Sequence, residues 1–318
     1  MSAVFLDYST VDDGDLDPTT LQASAPGLRL LPNTPQPDVV DAIRDCEIVL
    51  LNKLKITSEV IAASPKLRLI ALSATGTNNI DLVAAAERDI AVCNIRDYCT
   101  VSVVQHALGT LLMLTHRLRE YSQMAVDGTW SRSQHFTLLS HPIRELHGLT
   151  LGIVGHGVLG QAFANACQNA LGMKVLIANR PGETAQAGRV DLDEMLRQAD
   201  VVSLHCPLTE QTRHLLDTRR LSLMKHDAIL INTARGALVD LEALAAALRA
   251  GRLGGAAIDV LPEEPPVSGS PLFAKDLRNL IVTPHTAWAA REARQRCLDE
   301  IAANILDWRR GGRRGRVI

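Results

Sequence analysis

Much that would classify this 318-residue sequence quickly is missing from it. Six cysteines lie scattered at 46, 93, 99, 167, 206 and 297, with no C-x-x-C pair among them. That scatter reads as free thiols in a reducing compartment. Charge of one sign is also scarce. A formal net charge of −2 gives no reason to expect nucleic acid or an anionic membrane as the main partner. No apolar run approaches the ~20 residues of a membrane span. The opening segment follows a short apolar run with acidic residues, which is unlike a secretory signal. Internal repeats and low-complexity tracts are lacking too. What remains is an ordinary globular composition, 47% apolar and 21% charged, expected to be soluble and cytoplasmic and long enough for about two domains.

What is present is organised around Leu151-Gly-Ile-Val-Gly155-His156-Gly157-Val158-Leu159-Gly160. An apolar run enters three glycines at G-x-G-x-x-G spacing, and an amphipathic pattern leaves them. This is the strand–turn–helix opening of a dinucleotide-binding βαβ unit. Gly155 permits the tight turn, Gly157 lets the backbone approach a pyrophosphate, and Gly160 lets the helix lie against the sheet. The helix N-terminus then offers free N–H groups and a positive dipole end to the phosphates. Val158, Leu159, Ala162, Phe163, Ala166, Ala170 and Leu171 recur at helical spacing. Gly172 follows as a C-cap, and residues 174–178 read as the next strand.

Strand-like runs at 3–8, 28–31, 47–51, 67–72 and 90–93 alternate with helical stretches at 37–45 and 57–63. Such alternation predicts a parallel α/β sheet over the first ~100 residues. A single long helix is expected from about 101 to 126. Residues 129–145 then show no period, and so long a loop is expected to serve function or a subunit interface. Beyond the glycines, strands are expected at 200–206, 228–233, 255–260 and 279–283, with helices at 191–198, 241–250 and 289–308. Five arginines fall between 309 and 316. They could bind polyanions, but the expectation is a solvated, frayed terminus.

Ligands of open α/β sheets sit beyond the carboxyl ends of the strands. Three reactive residues follow expected strands directly: Arg235, Glu264 and His285. Their types suit reduction of a 2-keto acid. Arg235 offers a planar fork for the carboxylate and carbonyl oxygens. His285 can exchange a proton near neutral pH, and a carboxylate at Glu264 would fix its orientation and favour its protonated form. Singly, an arginine or glutamate in a loop is ordinarily solvated, and a histidine after Pro284 can merely cap a helix. As a set at consecutive strand ends they define a candidate site. No metal is expected.

These residues sit in Ile231-Asn-Thr-Ala-Arg-Gly-Ala-Leu-Val-Asp240, in Gly255-Ala-Ala-Ile-Asp-Val-Leu-Pro-Glu-Glu-Pro265 and in Val282-Thr-Pro-His-Thr-Ala-Trp288. The three stretches resemble the signature motifs of the D-isomer-specific 2-hydroxyacid dehydrogenase family, in the same order and across nearly the whole chain. Ser203-Leu-His-Cys-Pro-Leu-Thr209 with Thr212 is similar to that family's cofactor loop. The resemblance implies two doubly wound parallel-sheet α/β domains. A Rossmann dinucleotide domain would span 99–288, and a flavodoxin-like substrate (lid) domain 1–98 with 289–318. Closure of the lid would exclude water from hydride transfer. A homodimer with an arm near 129–145 is implied as well. So are cofactor contacts at Gly155, His156, Gly157, Val158, Leu159, Gly160, Asn179, Arg180, Cys206, Pro207, Thr212, Thr233, Ala234 and Asp259. Within the family, Ala74-Thr-Gly-Thr-Asn-Asn-Ile-Asp81, Arg96-Asp-Tyr-Cys-Thr100 and Ser102-Val-Val-Gln-His106 are similar to glycerate dehydrogenases, or hydroxypyruvate reductases. There Ala74, Thr75 and Gly76 would bind the substrate carboxylate through backbone N–H groups, although a plain glycine turn would look the same. Glutamate at 264 argues against the formate dehydrogenase branch, which has glutamine. The chain is also expected to lack the regulatory C-terminal domain of many phosphoglycerate dehydrogenases.

One position departs from the NAD-type pattern, which places an acidic residue about 20 residues past the glycines on the ribose 2′-hydroxyl. Here Asn179 and Arg180 stand instead. Asn179 repels no 2′-phosphate and Arg180 can pair with one, so NADP is expected to serve at least as well as NAD. The alternative has Arg180 in solvent and Glu183 in the acid's part. The expected reaction reduces hydroxypyruvate or glyoxylate to D-glycerate or glycolate. A phosphoglycerate- or lactate-type substrate is the alternative, the former needing a basic cluster to which Arg96 and Lys53 could belong. A dinucleotide-sensing scaffold like the corepressors of this family is a more distant one.

Overall fold

Short runs of Ile, Val and Leu without polar alternation suit strands buried on both faces. Ile48–Leu51 and Val201–Leu204 form such strands, with every residue buried. The computed structural model describes residues 2–180, 186–277 and 279–318. Its chain divides into two compact units, Met1–Cys99 with Trp288–Ile318, and Thr100–Ala287.

The first unit begins β1 (Ala3–Phe5), α1 (Thr19–Ser24), β2 (Arg29–Leu30), α2 (Val39–Ile43) and β3 (Ile48–Leu51). It continues through α3 (Ser58–Ala62), β4 (Leu69–Leu72), α4 (Leu82–Glu87) and β5 (Ala91–Cys93). The strands are parallel in the order β2-β1-β3-β4-β5, the doubly wound flavodoxin-like order. Side chains of Thr57 and Asp81 cap α3 and α4 by accepting the Val60 and Ala84 amides, each cap worth about 1 kcal/mol.

The second unit runs α5 (Thr100–Thr115), α6 (Leu118–Val126), β6 (Thr150–Val154), α7 (Val158–Leu171), β7 (Lys174–Ile177) and α8 (Leu192–Gln198). Then come β8 (Val201–Leu204), α9 (Thr218–Leu223), β9 (Ile229–Asn232), α10 (Leu241–Arg249), β10 (Gly255–Ile258) and β11 (Leu280–Val282). Its parallel sheet has the order β11-β10-β9-β8-β6-β7. From β6 the chain steps outward to β7 and then crosses back to β8. The carboxyl ends of β6 and β8 therefore flank the point where strand order reverses, which is where such sheets bind ligands.

The last helix, α11 (Arg291–Arg309), belongs to the first unit. Its Cys297, Leu298, Ile301 and Ile305 are fully buried in one cluster with Phe5, Ile48, Leu50 and Leu69.

Two expectations are corrected here. The helix expected over 101–126 is two helices, because Arg117 takes a left-handed conformation (φ 53°) between α5 and α6. The arginine-rich tail is not frayed. Arg316 forms an antiparallel bridge to Cys93, the Val317 amide donates to the Val92 carbonyl at 2.8 Å, and Val317 and Ile318 pack on the core. Among the described residues, no helix is long and apolar enough to cross a membrane.

Candidate active site

The glycine stretch makes the turn from β6 to α7. Gly155 has φ 96°, and a Cβ there would stand 2.5 Å from the Cys206 amide nitrogen. Only glycine holds that backbone beside the end of β8. A Cβ at Gly160 would overlap the Gly155 carbonyl oxygen, whereas one at Gly157 would meet nothing within 4 Å. Gly157 is thus the open position, and it serves as N-cap of α7 without any side-chain cap. His156, Val158 and Leu159 complete the turn. The N–H groups of Gly157, Val158 and Leu159 have no acceptor among the described residues, as a pyrophosphate cradle requires. After β9, the Thr233 hydroxyl is buried without a partner among the described residues.

Asn179 and Arg180 follow β7. The Asn179 amide donates to the Val190 carbonyl at 2.8 Å, and its side-chain oxygen accepts the Gln186 amide at 3.2 Å. Glu183 lies outside the described residues. Cys206 is buried, and burial pushes its thiol up to about 11, so it stays protonated and offers the neighbourhood little beyond backbone. Pro207 begins the loop that follows.

Thr212 and Asp259 each brace the protein around the strand ends. The Thr212 hydroxyl donates to the Pro207 carbonyl at 2.9 Å and accepts the Thr209 amide at 2.7 Å, so it clamps its own loop. Asp259 is buried at the end of β10. One carboxylate oxygen accepts the Thr283 hydroxyl at 2.5 Å and the Thr286 amide at 2.9 Å; the other accepts the Ala287 amide at 2.9 Å. All three of these bonds go to the segment around His285. His106 approaches the same cluster, its Nε2 3.2 Å from the Thr283 hydroxyl oxygen. Thr283 and His106 were not singled out by sequence reasoning. Their signal was nearness to His285 for one and membership of Ser102-Val-Val-Gln-His106 for the other.

Arg235, Glu264 and His285 follow β9, β10 and β11, three adjacent strands of one sheet. His285 has a left-handed backbone (φ 55°), and its amide donates to the carbonyls of Asp259 at 2.8 Å and Thr283 at 2.9 Å. A non-glycine residue in that region is strained and must be held there by its surroundings. Its Nδ1 lies 2.6 Å from Glu264 Oε2, while Glu264 Oε1 accepts the Leu261 amide at 2.8 Å. The pair is about one-third exposed. Arg235 is exposed, with one guanidinium nitrogen 2.7 Å from the Ala234 carbonyl, and the Asn232 side chain donates to the Arg235 carbonyl at 2.9 Å. Next to it, Gly236 packs so tightly that a Cβ would overlap the Leu261 carbonyl carbon. The Arg235 loop and the Glu264 loop are therefore in backbone contact.

In the first unit, Ala74, Thr75 and Gly76 leave the carboxyl end of β4. The Thr75 carbonyl accepts the Asn94 side-chain amide at 2.7 Å, and the Ala74 carbonyl the Ile95 amide at 3.3 Å. The three N–H groups of this loop have no acceptor among the described residues.

A pyrophosphate cradle at a strand-order reversal, with a histidine–carboxylate pair and an arginine on the same sheet edge, defines a dinucleotide-dependent oxidoreductase. Residues 108–287 match the family model described as D-isomer specific 2-hydroxyacid dehydrogenase, NAD binding domain. The chain is 42% identical over 272 residues to a glycerate dehydrogenase of Methylorubrum extorquens, covering 86% of this chain and 85% of that one. It is 35% identical over 317 residues to a hydroxypyruvate reductase of Blautia hydrogenotrophica, covering 98% of each. Among solved structures it is similar to the TT0316 protein of Thermus thermophilus, at 35% identity, TM-score 0.87 and full coverage of both chains. This chain belongs to the D-isomer-specific 2-hydroxyacid dehydrogenase family. It is an oxidoreductase that uses a nicotinamide dinucleotide, with a small 2-hydroxy or 2-keto acid as the substrate class.

Proposed function

We propose that the protein is a cytoplasmic, homodimeric reductase that converts hydroxypyruvate to D-glycerate and glyoxylate to glycolate, using NADPH at least as well as NADH. The observation that carries this reading is the His285–Glu264 pair beside Arg235 on one sheet edge. With Nδ1 committed to Glu264, His285 keeps Nε2 for a proton delivered to the carbonyl oxygen as it gains negative charge. Arg235 holds the substrate carboxylate and carbonyl oxygens, and Glu264 orients the imidazole. The loop Ala74–Thr75–Gly76 receives the carboxylate on its N–H groups. The bound reduced dinucleotide supplies the hydride. Gly157 and the start of α7 hold its pyrophosphate, Thr233 and Ala234 lie toward its nicotinamide half, and Asn179 with Arg180 meets the adenosine ribose.

In this reading residues 99–288 are the dinucleotide domain, and residues 1–98 with 289–318 are the substrate lid. The named activities of the Methylorubrum and Blautia relatives support the substrate choice. The dimer is supported by Trp130, Phe136, Leu139 and Ile143, all more than half exposed along 129–145. Initial rates of NADPH and NADH oxidation with glyoxylate, hydroxypyruvate, pyruvate and phosphohydroxypyruvate test the function. Rapid turnover of the first two is expected. A preference for pyruvate or the phosphorylated acid would overturn it.

A further inference from the structure

Two side chains on one face of α5 reach the segment that carries His285. Ser102 and His106 stand four residues apart in that helix, about one turn, so they project together. The Ser102 hydroxyl donates to the Ala287 carbonyl at 2.6 Å, and His106 Nε2 lies 3.2 Å from the Thr283 hydroxyl oxygen. α5 therefore holds residues 283–287 at both ends, with His285 and its left-handed backbone in the middle. The neighbouring Val103, Ala107 and Thr110 are buried, and the His106 side chain is itself only 19% exposed.

The direction of each bond follows from the protons available. The Asp259 carboxylate can only accept, and it takes the Thr283 hydroxyl at 2.5 Å along with the Thr286 and Ala287 amides. That uses the single proton of the Thr283 hydroxyl. Its oxygen can then meet His106 only as an acceptor, so the imidazole carries a proton on Nε2. Asp259 Oδ1 lies 3.8 Å from the same nitrogen, too far for a hydrogen bond but near enough to favour a donor there over a lone pair.

We infer that His106 is a positioning residue for His285: its Nε2–H fixes the Thr283 hydroxyl on Asp259, and with it the backbone that aims the His285 imidazole. The chain of bonds runs from His106 through Thr283 to Asp259, whose carbonyl accepts the His285 amide at 2.8 Å. A strained residue persists only where its surroundings over-determine it, and the His106 donor is one of those restraints. This role presupposes the reading of His285 as the proton donor, and it gives His106 no contact with substrate or cofactor.

The test compares His106→Leu, of similar bulk without a donor, with His106→Gln, whose side-chain amide can present an N–H in place of Nε2–H. With hydroxypyruvate and NADPH, H106L should lower kcat about 10-fold, short of the ~10² that a misplacement of ~1 Å can cost. The KM for both ligands and the melting temperature should stay close to wild type. H106Q should restore most of the lost rate, which mere loss of the ring from the core does not predict. Thr283→Val should reproduce the loss, and adding H106L to it should cost nothing more, since the link is already cut. T283V also carries the test if H106L fails to fold. Histidine ring NMR gives a readout without turnover. At about pH 8, where imidazoles are ordinarily neutral, His106 should carry its proton on Nε2, and the His285 ring signals should shift in H106L and return in H106Q. A His106 proton on Nδ1 alone, H106Q as slow as H106L, or His285 signals and kcat unmoved in both H106L and T283V would overturn the assignment. Near-normal turnover in His285→Gln would instead overturn the reading beneath it.

Discussion

His285 Nδ1 and Glu264 Oε2 are 2.6 Å apart, and the second oxygen of that carboxylate is fixed by the Leu261 amide. The imidazole is therefore held by one nitrogen and free to act through the other. Replacing it by His285→Gln should lower kcat by ~10²–10⁴, the usual worth of a placed acid. Glu264→Gln keeps the shape and should lower kcat by less, with little change in the KM for the keto acid. Near-normal turnover in H285Q would refute the assignment.

Gly236 joins the loops that carry Arg235 and Glu264. An added Cβ has no room against the Leu261 backbone, so Gly236→Ala must push the two loops apart. Overpacking of this kind costs about 1–3 kcal/mol. Thermal unfolding should show that loss, and kcat/KM should fall as Arg235 is displaced. A variant with wild-type stability and activity would mean the loops do not act as one body.

Arg180 stands where an acidic residue would select NAD. Arg180→Ala should raise the KM for NADPH at least ~10-fold and leave that for NADH nearly unchanged, the difference being one guanidinium–phosphate contact. An unchanged NADPH constant would sink the idea and return attention to Glu183.

His205 closes β8 beside the glycine turn, its Nε2 2.9 Å from the Ser203 hydroxyl and its ring 5.6 Å from that of Phe163. Burial lowers its pKa to about 4. The unfolded chain, with histidine near 6.5, takes up a proton first. Stability from this residue is thus complete above pH ~6.5 and is lost as pH falls through about 4. His205→Gln keeps a neutral hydrogen-bonding group, so its melting temperature should fall less over that interval. Parallel curves for the two proteins would exclude His205 as the source.

The segment 129–145 exposes Phe136 at 91% and Leu139 at 85%, and it is partly ordered by the Trp130 indole N–H donating to the Phe136 carbonyl at 3.0 Å. Large apolar groups left out in this way mark an interaction surface. A double change of Phe136→Asp and Leu139→Asp should halve the mass measured by light scattering. If the wild type is already monomeric, the arm has another purpose.

The strands could be read from the sequence because apolar runs without alternation permit few other structures. Arg235, Glu264 and His285 could be read because each follows such a run directly. Motif membership did not reveal which way a side chain faces. That Asp259 also braces the His285 segment, and Thr212 its own loop, was therefore not legible. The break at Arg117 was invisible because arginine is a good helix former and only the fold makes it left-handed. Helices as short as Thr218–Leu223, although capped by Asp217, span too few turns to establish a period. In the tail, five arginines suggested solvation, but the terminal Val317 and Ile318 and the open edge of β5 decide its path.

The core of the first unit draws Phe5 and Leu50 from one end of the chain and Ile301 and Ile305 from the other. A nascent chain cannot cover that face of the first sheet until α11 has emerged. Residues Thr100–Ala287 come between, and they form a contiguous unit with its own core. At ~5–20 residues per second, their synthesis takes roughly 10–40 s. During that interval the earliest-made strands wait with an apolar face uncovered while the later-made middle unit can already fold. Birth order and burial order are thus reversed for these strands: those made first are covered last.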